Sequence, residues 1–329
     1  MIEDDGMAGN ESNGSERAPN EDPGLILGRM DFSDLGPGVD PEDRSYQPNP
    51  EYEWIVDVRL EGDPPLDSQE IAAAFIAVIT DELDDFTIHA RDFETGAWTY
   101  ILPNESPQTV DQLKFAFDFV EPMPSELQPL TKRQYQARLD QIEQILGQFG
   151  KPTLTPSMPV EKAAKRSKAL AQIQTSLDLV AVLSLQAPTG QHYAVRDIEP
   201  VMSSLGLERD ELDCFVWENP APFGHDFLFT VETNTEAGYF PADDVSGESH
   251  EVEDLVFILS IPRCLKPTEV FEAMIQVAQH CQSRLGGTLV DEDGNPSDLD
   301  ELRQSVREVV EQLRSHGFEP GLRDTLRLF

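Results

Sequence analysis

Residues 254–262 read DLVFILSIP, and the facing of that run decides the fold. A strand turns successive side chains to opposite sides. Leu255, Phe257, Leu259 and Ile261 therefore share one face, and Val256 and Ile258 share the other. A strand with one face in water alternates apolar with polar residues, and this one does not. Its first face is expected to hold a core. Its second face needs a cover, from the chain itself or from a partner.

The flanking sequence supplies the rest of a domain. A strand is expected over 177–185, then a helix over Val195–Leu205 stopped by Gly206. Strands follow at Leu212–Glu218 and Phe227–Thr233, ahead of the opening stretch. A helix over Thr268–Leu285 turns Val270, Met274, Val277 and Cys281 inward and stops at Gly286-Gly287. The turn Asp293-Gly294-Asn295 joins two short strands. A last helix, Leu299–Leu313, runs from a cap at Ser297 or Asp298 to Gly317.

The same order of elements occurs once before. A strand at Glu53–Leu60 precedes a helix at Asp67–Leu83, strands near Phe86–Ala90 and Trp98–Leu102, and a fourth strand at Leu113–Val120. Helices at Lys132–Phe149 and Val160–Ile173 complete this copy. The expected fold class is α+β: two tandem domains, each a mostly antiparallel sheet with helices on one face. The expected boundaries are 1–50 for a disordered acidic segment, 51–174 and 175–318 for the two domains, and 319–329 for a C-terminal tail. The first 50 residues hold twelve Asp and Glu and three Arg, with only a Leu25–Met30 island of apolar character, too little to fold alone.

Register assigns the open faces. In the second copy Val180, Val182 and Ser184 point outward from one strand, Leu212, Cys214 and Val216 from the next, and Val256 and Ile258 from the opening strand. Seven of these form an apolar patch of the kind that marks a partner site. The intervening strand turns out Glu232 and Asn234, and Glu236 beyond them. In the first copy Ile55, Asp57, Arg59, Lys114, Ala116 and Asp118 face outward, a mostly polar and wetted surface.

Composition excludes several classes. With 62 Asp and Glu against 24 Lys and Arg, the net charge is −38, which repels nucleic acid and anionic lipid. A local inversion over 131–170, with eight cations and three acids, suits a solvated helix face or a contact for an acidic partner. Three cysteines and six histidines show no metal spacing, and no nucleophile elbow or phosphate loop occurs. No catalytic residue, metal or cofactor is expected. No apolar run spans a bilayer, and the N-terminus has no signal-peptide pattern.

The second copy resembles a known family. LDLVAVLSLQAPTG (177–190), DFLFTVETNTEAGYF (226–240), DLVFILSIP (254–262) and FEAMIQVAQHCQSRLGGTLVDEDGNP (271–296) are similar to the C-terminal domain of ZipA, a bacterial cell-division protein that binds FtsZ. The first copy looks like a degenerate version of that domain. The resemblance implies a six-stranded sheet backed by three helices. It also implies an apolar groove on the open sheet face that takes the C-terminal peptide of FtsZ, largely as a helix. Carried over by position, the groove falls on Val180, Val182, Leu212, Cys214, Val256 and Ile258. Glu232 and Asn234 depart from the family's small or apolar third strand. A basic rim residue, which the family has near Gly294-Asn295, is absent. The implied role is a non-enzymatic adaptor in septum assembly, cytoplasmic and at the division site. Inner-membrane attachment follows only if the true N-terminus lies upstream. The other reading is a self-associating structural protein whose apolar face is buried between domains or subunits.

Overall fold

The computed structural model describes residues 27–28, 30–33, 48–61, 66–76, 86–101, 109–120, 129–235, 238–240, 250–291 and 294–329. Most of the expected disordered segment, the end of the 67–83 helix and Glu236 lie outside the described residues.

The chain forms β1 (Glu53–Glu61), β2 (Leu66–Asp67), α1 (Ser68–Ile76), β3 (Phe86–Asp92), β4 (Trp98–Tyr100), β5 (Thr109–Asp118), α2 (Lys132–Leu146), β6 (Lys151–Pro156) and α3 (Val160–Leu177). The second half forms β7 (Val180–Gln186), β8 (Tyr193–Ala194), α4 (Val195–Ser204), β9 (Glu208–Arg209), β10 (Phe215–Glu218), β11 (Phe227–Glu232), β12 (Glu251–Val252) and β13 (Asp254–Ser260). It ends with α5 (Pro267–Leu285), β14 (Thr288–Val290), α6 (Leu299–Ser315) and the short α7 (Arg323–Leu326).

Twelve of these strands make two six-stranded sheets, antiparallel throughout, and β8 pairs with β12 in a separate two-stranded ribbon. The orders of the two large sheets are β4-β3-β5-β1-β6, with β2 on β5, and β14-β7-β13-β11-β10-β9. In both, the opening strand lies between the fourth strand and the strand that follows the long helix. That shared plan is the internal repeat. The sheets differ beyond it. β5 pairs with β3 and leaves β4 at the edge, whereas β13 pairs with the later strand, β11.

Each sheet buries the face that alternation assigns to it. In the first, Trp54, Val56, Phe115 and Phe117 are sealed under α2 and α3. Tyr135 of α2 meets Trp54 edge-on at 4.9 Å, and the Trp54 indole donates to the Met158 carbonyl at 2.9 Å. In the second, Leu183, Val231, Phe257 and Leu259 are sealed with Val270, Met274, Val277 and Cys281 of α5. Burying a side chain of this size contributes about 1.5–3 kcal/mol. Local chemistry sets the helix ends. Pro267 opens α5, where its missing N–H costs nothing, and Gly286 closes it at φ 80°. Asp298 caps α6, accepting from the Asp300 and Glu301 amides.

The 151–156 stretch, which falls between two expected helices, is the edge strand β6. Three expectations need correction. The 319–329 segment is no free tail: α7 forms within it, and Leu328 and Phe329 are buried. The outward side of the first sheet is not wetted throughout, because Ile55 and Ala116 are buried there. Part of the expected disordered segment is also packed. Leu27 and Phe32 are buried, and Lys266 donates to the Asp31 carbonyl with its ammonium 5.8 Å from the Phe32 ring.

Candidate peptide-binding face

The outward side of the second sheet is built row by row from its register. One row crosses five strands: Glu208, Val216, Thr230, Ile258 and Val182. The next holds Glu232, Val256, Ser184 and Val290. Val180 and Ser260 form a third at one end. Among the described residues no helix packs on this side of β7 and β13, so Val182, Ser184, Val256, Ile258 and Ser260 are only half-buried, and Val180 is 52 % exposed. The result is a shallow aliphatic strip two strands wide.

Its borders are polar. At the Val180 end, Arg263 forms a two-pronged pair with Asp178 at 2.6 and 3.2 Å and also donates to Ser260. Along β11, the Thr230 hydroxyl donates to the Glu232 carboxylate at 3.0 Å. That carboxylate stands directly opposite Val256. Beyond it lies Cys214, whose thiol is pushed up to about 11, first by burial and then by Glu232, Asp210 and Asp213.

The sequence-derived residues divide into groups. Val180, Val182, Ser184, Val256 and Ile258 are brought together as expected. Val216 faces the same way but is 6 % exposed, in the closed part of its row. Leu212 does not lie on a strand. Asp210 accepts from the Leu212 and Cys214 amides and Asp213 takes a φ of 61°, so 210–214 is a turn with Leu212 at its tip, 74 % exposed. Asn234 lies past the end of β11, its amide held by the buried Asp254 carboxylate at 2.8 Å. One exposed aromatic was missed. Tyr239 stands beside Gly238, whose carbonyl contacts the Cys214 thiol, and so shares the Leu212 rim. It sits in a loop, with no period to mark it.

Among the described residues, no three His, Cys, Asp or Glu converge on a metal-sized site, and no helix is long and apolar enough to cross a membrane. Cys264 and Cys281 are buried in the core, where desolvation raises both thiols. The cationic stretch is partly spent on structure. Arg138 is buried over the Phe117 ring at 4.7 Å, Lys132 pairs with Glu161, and Arg166 donates to the Glu51 carbonyl.

These parts make an α+β domain, a sheet with helices on one side and an open aliphatic strip on the other. Residues 179–308 match the family described as ZipA, C-terminal FtsZ-binding domain. The chain is also similar to the cell division protein ZipA of Marinobacter nauticus (strain ATCC 700491 / DSM 11845 / VT8), 27 % identical over 139 residues. That alignment covers 41 % of this chain and 40 % of the relative, so the chain spans less than half the length of the curated protein it matches.

Proposed function

We propose that this protein is a non-enzymatic cell-division adaptor whose second domain captures the C-terminal peptide of FtsZ. One observation carries the reading: the half-exposed strip of Val180, Val182, Val256 and Ile258 lies within the segment that matches an FtsZ-binding family. An amphipathic helix laid across two strands covers such a strip and buries one apolar edge of its own. Residues 175–318 form the binding domain in this reading, and 51–174 a supporting one. The place of action is the division septum.

Fluorescence anisotropy of a labelled FtsZ C-terminal peptide with the full chain tests the proposal. Saturable micromolar binding is expected. Val182→Glu and Ile258→Glu each put a charge on the strip and should weaken it by about a hundredfold, since an unpaired carboxylate against apolar surface costs several kcal/mol. Both sites are half-exposed, so circular dichroism should be unchanged. Wild-type affinity in both variants would remove the strip from the interface. Light scattering then separates self-association: a dimer that Ile258→Glu converts to a monomer assigns the strip to a second copy of the chain.

A further inference from the structure

We propose that the outward side of the first sheet is a second peptide-docking face, and that its occupant is the chain's own last eleven residues. The two sheets share the placement of their opening strands, so the outward side of β1 and β5 corresponds to the outward side of β7 and β13. On the second sheet that side is an open aliphatic strip. On the first it is acidic at one end and already covered.

The covering segment leaves the second half of the chain at Gly317. It is pinned at Gly321, whose amide donates to the Pro262 carbonyl at 2.9 Å and whose α-carbon has no room for a side chain against Cys264 and Leu265. It then crosses to the first sheet. Arg323 and Arg327 lie one helical turn apart and point the same way. Arg327 bridges Glu53 at 2.9 Å and Asp118 at 2.5 Å, two register partners on the outward side. Arg323 stands near enough to Tyr100 to act on its phenol, and Tyr100 pairs across from His89 on that same side. Strand alternation turns Ile55, Ala116 and His89 away from the α2–α3 core, yet all three are buried. The end of the segment lies against the start of β1 and against α3. Phe329 meets Phe318, Phe318 meets Tyr52, and the Gln174 amide donates to the Leu328 carbonyl at 2.6 Å.

This is peptide recognition in cis: a short helix that presents two arginines and an aromatic end, held by two carboxylates. It differs from the second face in chemistry, taking arginines where the other takes aliphatic anchors. It also straps the two halves together and leaves the full chain one free peptide face. The proposal does not depend on the identity of the partner on the second face.

The test uses the full chain. Arg323→Ala/Arg327→Ala removes both cationic anchors and should free the face for a labelled peptide of residues 319–329 added in trans. The variant should bind that peptide at least about tenfold more tightly than wild type, whose face is filled, because each anchor is a charge-assisted contact. A folded variant that binds no better than wild type overturns the proposal. A charge exchange covers the case in which the double variant fails to fold. Arg327→Glu should lower the melting temperature, and Asp118→Arg in the same chain should recover at least half of the loss. An exchange with no recovery also overturns it.

Discussion

A side chain on Gly287 has nowhere to go. Its φ is 100°, and a β-carbon there overlaps the Gln186 carbonyl and the Tyr193 hydroxyl. Tyr193 is held in place by donating to the Gly286 carbonyl at 2.9 Å. Gly287→Ala should therefore lose about 2–5 kcal/mol, from left-handed backbone plus overpacking. A urea midpoint equal to wild type would contradict this. Cys214 offers a different test, because it is the one cysteine that is not buried. With its thiol at about 11, alkylation should rise about tenfold per pH unit from pH 7 to 9, following the thiolate fraction. Peptide bound on the strip should slow it. A rate that levels off by pH 9 would show an ordinary thiol. Glu232 was legible in the sequence as a departure from an apolar third strand, and the register puts it opposite Val256. Alternation puts Thr230 on the same face, but their hydrogen bond depends on the two rotamers, which the sequence does not fix.

Periodic elements were legible to within a few residues, and the misses have physical causes. β6 reads KPTLTP, with two prolines that argue against a strand. It is tolerated because β6 pairs only with β1 at the edge of its sheet, where unpaired amides face outward. Leu212 was misplaced because alternation through 212–218 looks continuous, while Asp210 captures two amides and folds the first residues into a turn. Helix ends were clearer. Ser297 and Asp298 both suit an N-cap, and Asp298 is the one that accepts, at 3.0 and 3.1 Å. Asp298→Ala should destabilise the protein by about 1 kcal/mol, seen as a lower urea midpoint, while Ser297→Ala should leave the cap intact. Equal losses from the two would mean that Asp298 does not hold the helix end.

At the scale of the whole molecule, the fold brings together parts that the chain keeps far apart. Arg327 meets Glu53 across most of the sequence, and Lys266 meets Asp31. No periodicity announces such contacts, because each rests on one or two residues. They matter more in a chain of net charge −38, where most pairs of charges repel. Ion pairs such as Arg303–Glu272 and Arg263–Asp178 offset a small part of that repulsion, since only 24 cations serve 62 acids. Added salt screens exposed charges over about 8–10 Å and weakens both effects. Repulsion is the larger of the two here, so 0.5 M sodium chloride should raise the melting temperature at pH 7 by several degrees. The sign should depend on charge. At pH 4.5, close to the isoelectric point of about 4.2, repulsion has nearly vanished. Carboxylates held low by a partner, such as Asp111 beside Arg91, stay ionised there and still contribute. Their stabilisation is present above the unfolded carboxylate range and is lost only as pH falls through their own depressed values. Salt at pH 4.5 should therefore do nothing or destabilise slightly. A melting temperature raised equally by salt at both pH values would point to a general solvent effect in place of self-repulsion.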